Sequence, residues 1–138
     1  MTLDVLIFNI IGDEIKRLIN QKCGLNQSQT RLLLFFDANN NEILTMGELA
    51  NKLDISLSTL SRQINQKRTL ELVNVTRSKT DSSKLLSLNS DGIKKVAELK
   101  KELNQISSDL LKTLNNEEKS VFSSQLMTIA TNLSKSKI

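Results

Sequence analysis

Apolar residues recur at intervals of three and four along most of this chain, the spacing of one face of a helix. Leu3, Ile7, Ile11, Ile15 and Leu18 lie near one stripe, and Leu6, Ile10 and Ile19 widen it. This predicts a first helix over residues 3–23. Its apolar face is broader than one buried stripe requires, so it is expected to touch two surfaces. Gly24 is placed to end it in a left-handed conformation. Asn26, with Gln29 three residues on, reads as a capping box for a second helix. Leu32, Leu33, Phe35 and Phe36 make that helix central to the core. Asn39-Asn40-Asn41 reads as a turn, and Ile43-Leu44 as a short strand.

Thr45 with Glu48 is a second capping box, opening a helix whose inner face is Leu49, Ala50 and Leu53. Asp54-Ile55-Ser56 breaks the period with a polar turn around one buried Ile, and Ser56 is a good cap for the next helix. In that helix, Leu57–Lys67, the residues Leu57, Leu60 and Ile64 are expected to face inward. Ser58, Thr59, Ser61, Arg62, Gln63, Asn65 and Gln66 are left outside, a face with no carboxylate and no large apolar residue. The period then changes. Leu72–Arg77 and Leu85–Leu88 read as two strands around the polar turn of residues 78–84. The expected order is helix, turn, helix and hairpin, with Ile43-Leu44 pairing against the hairpin.

Asn89 is positioned to cap a long helix running to about Leu114. Val96, Leu99, Leu103, Ile106 and Leu110 step by three, four, three and four, a heptad seam. Asn115 and Glu118 form another capping box, and Phe122, Leu126, Ile129 and Leu133 stripe the last helix. The seam has two readings: packing inside one chain, or pairing of two chains about a two-fold axis. We favour pairing, through Ile7, Ile11, Val96, Leu99, Leu103, Ile106, Leu110, Phe122, Leu126 and Ile129.

Composition narrows the chemistry. The 138 residues carry a net charge of +4, compatible with a nucleic-acid partner. Pro, Trp and Tyr are absent and there are four Gly, as suits a mainly helical protein. With no His and one Cys, histidine-based triads and Cys/His zinc sites are excluded. Neither a Gly-rich phosphate loop nor a nucleophile–base pair is evident, so an enzyme is not expected, nor a cofactor or metal. A lone cysteine and no secretory or membrane-spanning pattern lead to a cytoplasmic expectation.

The outer face of the helix from Leu57 suits the major groove, where Arg pairs with guanine and Gln with adenine. Ser58, Thr59, Arg62 and Gln63 are the expected base contacts. Ser61, Gln66, Lys67 and Arg68, with Arg77, Lys79 and Lys84 of the hairpin, are the expected backbone contacts.

The run ELANKLDISLSTLSRQI, the following LV, an Asp in the hairpin and LSLNSDG opening a long helix together resemble the MarR family of transcriptional regulators. Gly24-Leu25-Asn26 and Gln29 fit that family's entry into its second helix. The resemblance implies a fold that is mainly α with a small β-hairpin. Within a single domain of residues 1–138, residues 25–89 would be the winged helix-turn-helix, and 1–24 and 90–138 the dimerisation helices. It implies a dimeric repressor that binds an inverted repeat of double-stranded DNA and has a pocket for a small-molecule effector. The chain departs from the family pattern in three places. Ser82 and Ser83 follow Asp81 where arginines are common. Glu71 replaces a glycine, so Leu70 is expected to enter the core. Lys67 replaces an apolar residue. An atypical wing also fits an alternative, a winged helix that has lost DNA reading and docks another protein. Cys23, at a helix C-terminus that disfavours a thiolate, is read as inert.

Overall fold

The computed structural model describes residues 4–135. In chain order they form α1 (Leu6–Cys23), α2 (Gln27–Ala38), β1 (Leu44–Thr45), α3 (Met46–Leu53), α4 (Leu57–Ile64), α5 (Lys67–Leu70), β2 (Val73–Arg77), β3 (Lys84–Leu88), α6 (Ser90–Leu110) and α7 (Asn116–Lys135). The fold is mainly helical, with an antiparallel sheet ordered β1-β3-β2. No helix among the described residues is long and apolar enough to cross a membrane.

The expected helix ends are built by the expected caps. Gly24 ends α1 at φ 66°, a left-handed conformation open to glycine, and its N–H donates to the Asn20 carbonyl. Asn26 and Gln29 form a reciprocal capping box at α2, and Thr45 and Glu48 another at α3. The Asn115–Glu118 pair does the same before α7. Asp54 closes α3 in the left-handed region at φ 55°. Arg31 of α2 adds a tie the sequence did not suggest, donating to the Leu53 carbonyl at the end of α3.

The described residues form two compact units that divide between Leu103 and Asn104. In the first, Leu32, Leu33 and Phe36 of α2, Leu49 and Leu53 of α3, Leu60 and Ile64 of α4 and Leu86 and Leu88 of β3 make the core. The wing strands pair with Val73 opposite Leu88, Val75 opposite Leu86 and Arg77 opposite Lys84, and β1 adds Leu44 opposite Leu86. Asn41 extends this sheet with a side chain. Its amide accepts from the Leu88 N–H at 2.7 Å and donates to the Leu88 carbonyl at 3.1 Å, as a neighbouring strand would. Asn89 ties the start of α6 to the chain before β2. It accepts from the Gly92 N–H at 2.8 Å to cap α6, and its amide donates to the Glu71 carbonyl at 2.9 Å, just before β2.

Several expectations are corrected. The first helix begins at Leu6, and Leu3 lies outside the described residues. The short strand is Leu44–Thr45, and Ile43 is exposed. Ile55 is only half-buried, because the left-handed turn at Asp54 carries it to the rim of the core. The helix expected over Leu57–Lys67 stops at Ile64, since Gln66 turns extended and caps the separate helix α5. Leu70 is exposed; Thr69 takes the inward position and is buried. The long helix ends at Leu110.

The heptad seam is corrected most. Val96 and Leu99 are buried in the first unit and Ile106 in the second, with Leu103 half-buried. In a single chain they are already core, so the packed reading of the seam holds for these positions. Of the seam, Leu110 stays outside, and the other exposed apolar rows lie on α1 and α7. In α1 these are Leu6, Ile7, Phe8, Ile10 and Ile11; in α7 they are Val121, Phe122, Leu126, Met127, Ile129 and Leu133.

The sharpest packing constraint is at Gly92. A Cβ there would lie 2.2 Å from the Leu72 carbonyl oxygen and 3.2 Å from the Leu88 Cβ. The first of these is backbone and cannot rotate away. Gly92→Ala is therefore expected to cost about 1–3 kcal/mol of unfolding free energy, the usual range for overpacking. Gly47→Ala, with nothing within 4 Å of its Cβ, should show no such loss. Urea titrations of both variants check this, and equal midpoints would contradict the close approach.

Candidate nucleic-acid interface

Helix α4 is short, and its two faces are sharply divided. Leu60 and Ile64 are buried, at 0% and 3% exposure, and fix its roll against the core. Ser56 caps it, accepting from the Thr59 N–H at 3.1 Å. The Ser56 hydroxyl also donates to Thr59 Oγ1 at 2.8 Å, and Arg62 Nη2 donates to the same oxygen at 3.3 Å. The Arg62 guanidinium thus rests along its own helix, with most of its five donors unspent. Ser58 and Arg62 are exposed; Thr59, Ser61 and Gln63 are half-buried. All four expected base-contacting residues therefore lie on one eight-residue element. No carboxylate lies on α4. Leu57 is the departure, for it is 55% exposed instead of facing inward.

The residues expected at the DNA backbone separate into three groups. Ser61 stays on α4. Lys67 and Arg68 sit on α5, where Arg68 pairs with Glu71 at 2.8 Å. Gln66, between the two helices, is held by α2. Its side-chain oxygen accepts from Asn26 Nδ2 at 2.9 Å and from Gln29 Nε2 at 3.2 Å. Gln29 Nε2 also donates to Thr69 Oγ1 at 3.3 Å. Gln29 and Thr69 are the buried polar residues among those described. A buried amide tolerates few geometries when each of its groups must be paired, so this link sets how the chain leaves α4. The only sequence signal for it was the Asn26–Gln29 capping box, which gives no hint of a partner 40 residues away.

Arg77, Lys79 and Lys84 project from the wing, all exposed. Arg77 and Lys84 stand directly opposite in the strand register. Like charges so placed repel, and a polyanion relieves that repulsion. At the tip, Ser82 adopts φ 62° and Arg77 Nη1 donates to its carbonyl at 3.0 Å. Asp81 is turned into the loop. Its Oδ1 accepts from the Ser83 hydroxyl at 2.7 Å and the Ser83 N–H at 3.1 Å, and these bonds hold its carboxyl below the usual range. The wing tip is therefore braced by its own serines.

A helix-turn-helix followed by a hairpin with basic projections defines a winged helix. Residues 24–82 match the sequence model of the MarR family, which identifies this segment as MarR-like. The whole chain also has the fold of solved MarR-type proteins. It superposes on MarR with a TM-score of 0.80 at 14% identity, covering 99% of this chain and 97% of that one. The S. aureus MepR–DNA complex gives 0.74 at 21% identity, with 96% and 99% covered. The heme sensor protein PefR from Streptococcus agalactiae, in complex with heme, gives 0.68 at 21% identity, with 92% and 88% covered. No curated protein matches the sequence.

Cys23 lies apart from the interface, at the end of α1, and is 2% exposed. Burial pushes its thiol above the ordinary range, and Glu98 and Glu102 add to the effect against Lys95 and Lys22. At neutral pH the sulfur is a protonated thiol with little nucleophilicity. A disulfide-exchange reagent should therefore modify it far more slowly in the folded protein than in urea. Cys23→Ser should leave any response of DNA binding to mild peroxide unchanged. Rapid labelling of the native thiol, or a peroxide response that disappears with it, would contradict this.

Proposed function

We propose that this protein is a dimeric, sequence-specific DNA-binding transcriptional regulator of MarR type that represses by occluding an inverted repeat. The observation that carries this reading is the exposed, carboxylate-free face of α4, with Arg62 at its centre. The opposed Arg77 and Lys84 support it, as does the likeness to a MepR structure solved with DNA. Two copies of α4 related by a two-fold axis would enter successive major grooves, on the order of 34 Å apart. Ser58, Thr59, Arg62 and Gln63 would read bases. Ser61, Gln66, Lys67, Arg68 and the wing cations would hold phosphates. The reading places the protein in the cytoplasm, with its DNA.

Dimerisation follows from the apolar side chains left exposed, Ile7 and Ile11 on α1 and Leu110, Phe122, Leu126 and Ile129 in the second unit. Scattered exposed leucines are ordinary, but clustered rows of this size mark a contact surface. A small-molecule effector would act by preferring one spacing of the two reading heads. One candidate region is the open cleft of about 430 Å³ between α5 and the start of α6. Its walls are charged, and Arg68–Glu71 and Lys95–Glu98 are already paired there.

Two measurements test the proposal. Sedimentation at micromolar concentration should give twice the 15.5 kDa chain mass; a compact monomer would remove the dimer. Selection from a random duplex pool should enrich an inverted repeat, and on that repeat Arg62→Ala should cost about 1–3 kcal/mol and relax one base position per half-site. Lys79→Ala or Lys84→Ala should instead weaken specific and random duplexes alike and flatten the salt slope by roughly 1 for each phosphate no longer neutralised. A folded dimer that enriches no sequence would favour the protein-docking alternative.

A further inference from the structure

An exposed leucine on a protein surface ordinarily calls for no explanation. Leu57 differs because of where it stands. It is the first residue of α4 and is 55% exposed, while the other apolar residues of that helix, Leu60 and Ile64, are buried. Its neighbours Ser56 and Ser58 are exposed as well, so the first turn of the helix stands clear of the core. In helix-turn-helix proteins this turn leads into the groove, and its residues meet base edges. Leu57 precedes Ser58 by one position, about 100° around the axis, so its strip, shared with Ser61, borders the strip of Ser58 and Arg62. Leu57 also stands only about 20° from Ile64 and about 60° from Leu60, so it heads the core-facing side of α4 and is exposed because the first turn runs past the edge of the core; there it is the one apolar side chain beside Ser58 at the leading end of the helix.

The major groove offers such a side chain one matching group. The N and O atoms of the base edges are hydrogen-bond donors or acceptors, which a leucine would desolvate without replacing; the thymine 5-methyl is the one apolar substituent that projects into the groove. We propose that Leu57 is a specificity-determining residue that packs on a thymine methyl in each half-site. This rests on the DNA-reading function proposed above and adds a base identity to it. It also assigns a division of labour: Arg62 selects by paired hydrogen bonds, and Leu57 selects by excluding water from a methyl.

The test uses the full-length protein and the operator enriched by selection. Each thymine is replaced in turn by deoxyuridine, which differs only in lacking the methyl. For the wild type, one thymine per half-site should be sensitive, its replacement weakening binding roughly fourfold, the value of one buried methyl-sized group. Leu57→Ala should bind the intact operator more weakly by a similar factor and should no longer distinguish thymine from deoxyuridine at that position. Leu57→Met, which keeps an apolar tip, should retain the distinction. Circular dichroism and sedimentation of the variants check that the fold and association are kept, as expected for an exposed position. If deoxyuridine has no effect anywhere, or affects wild type and Leu57→Ala equally, Leu57 is not the reader, while Arg62-dependent selection would still stand. If no operator is enriched at all, the DNA-reading function fails and this inference with it.

Discussion

An eight-residue helix has almost no stability of its own in water, because the cost of nucleating it is not recovered over two turns. Everything about α4 therefore depends on what it is anchored to. Leu60 and Ile64 supply the anchor, buried among the side chains of the first unit's core. Truncating a fully buried leucine such as Leu60 typically costs about 2–5 kcal/mol, a large part of the stability of a small domain. The cap at Ser56 holds the front of the helix, and the Gln66 amide holds the chain as it leaves. A helix fastened at its base and both ends presents its remaining face in one orientation, which base reading requires.

The polar groups inside the first unit serve the same end. Asn41, Asn89 and Gln29 each spend a side-chain amide on backbone or buried hydroxyl partners in distant segments. Amides are suited to this because they donate and accept at once, so one side chain can stand in for a strand or a helical turn. Asn41 replaces a missing strand at Leu88. Asn89 ties the start of α6 to the residue before the wing, where Gly92 lets the helix pass against the Leu72 carbonyl. Among the described residues no buried side-chain polar atom lacks a partner. Helix α4 and the wing are thereby held to one scaffold.

The surface charges run the other way. Arg77 and Lys84 face each other across the wing, an arrangement that weakens an isolated hairpin and strengthens one beside a polyanion. Asp81 keeps its negative charge, since hydrogen bonds from Ser83 favour the carboxylate, but they turn that carboxylate inward to the loop at the wing tip. The apolar rows of α1 and α7 are likewise unfavourable in a lone chain. Each feature left unsatisfied in the chain corresponds to a partner in the proposed function, DNA for the cations and a second copy for the apolar rows.

Local signals were legible in the sequence. The capping boxes at Asn26, Thr45 and Asn115, the left-handed stop at Gly24 and the switch to strand, expected at Leu72 and found one residue later, depend on residues within one turn of each other. The resemblance to MarR regulators was legible for the same reason, being carried by the order and spacing of such signals. Periodicity also identified which residues are apolar and share a face, but not what that face meets. Leu57 and Leu60 lie on nearby sides of one helix, yet one is exposed and the other buried, because the core ends between them. Val96 and Leu99 looked like a seam awaiting a partner and are already covered within the first unit. Thr69 went inside and Leu70 stayed out because α5 starts anew after Gln66, whose side-chain amide is held there by Asn26 and Gln29. Contacts 40 residues apart leave no periodic trace in a single sequence, so burial and register at these positions were decided only when the chain closed on itself.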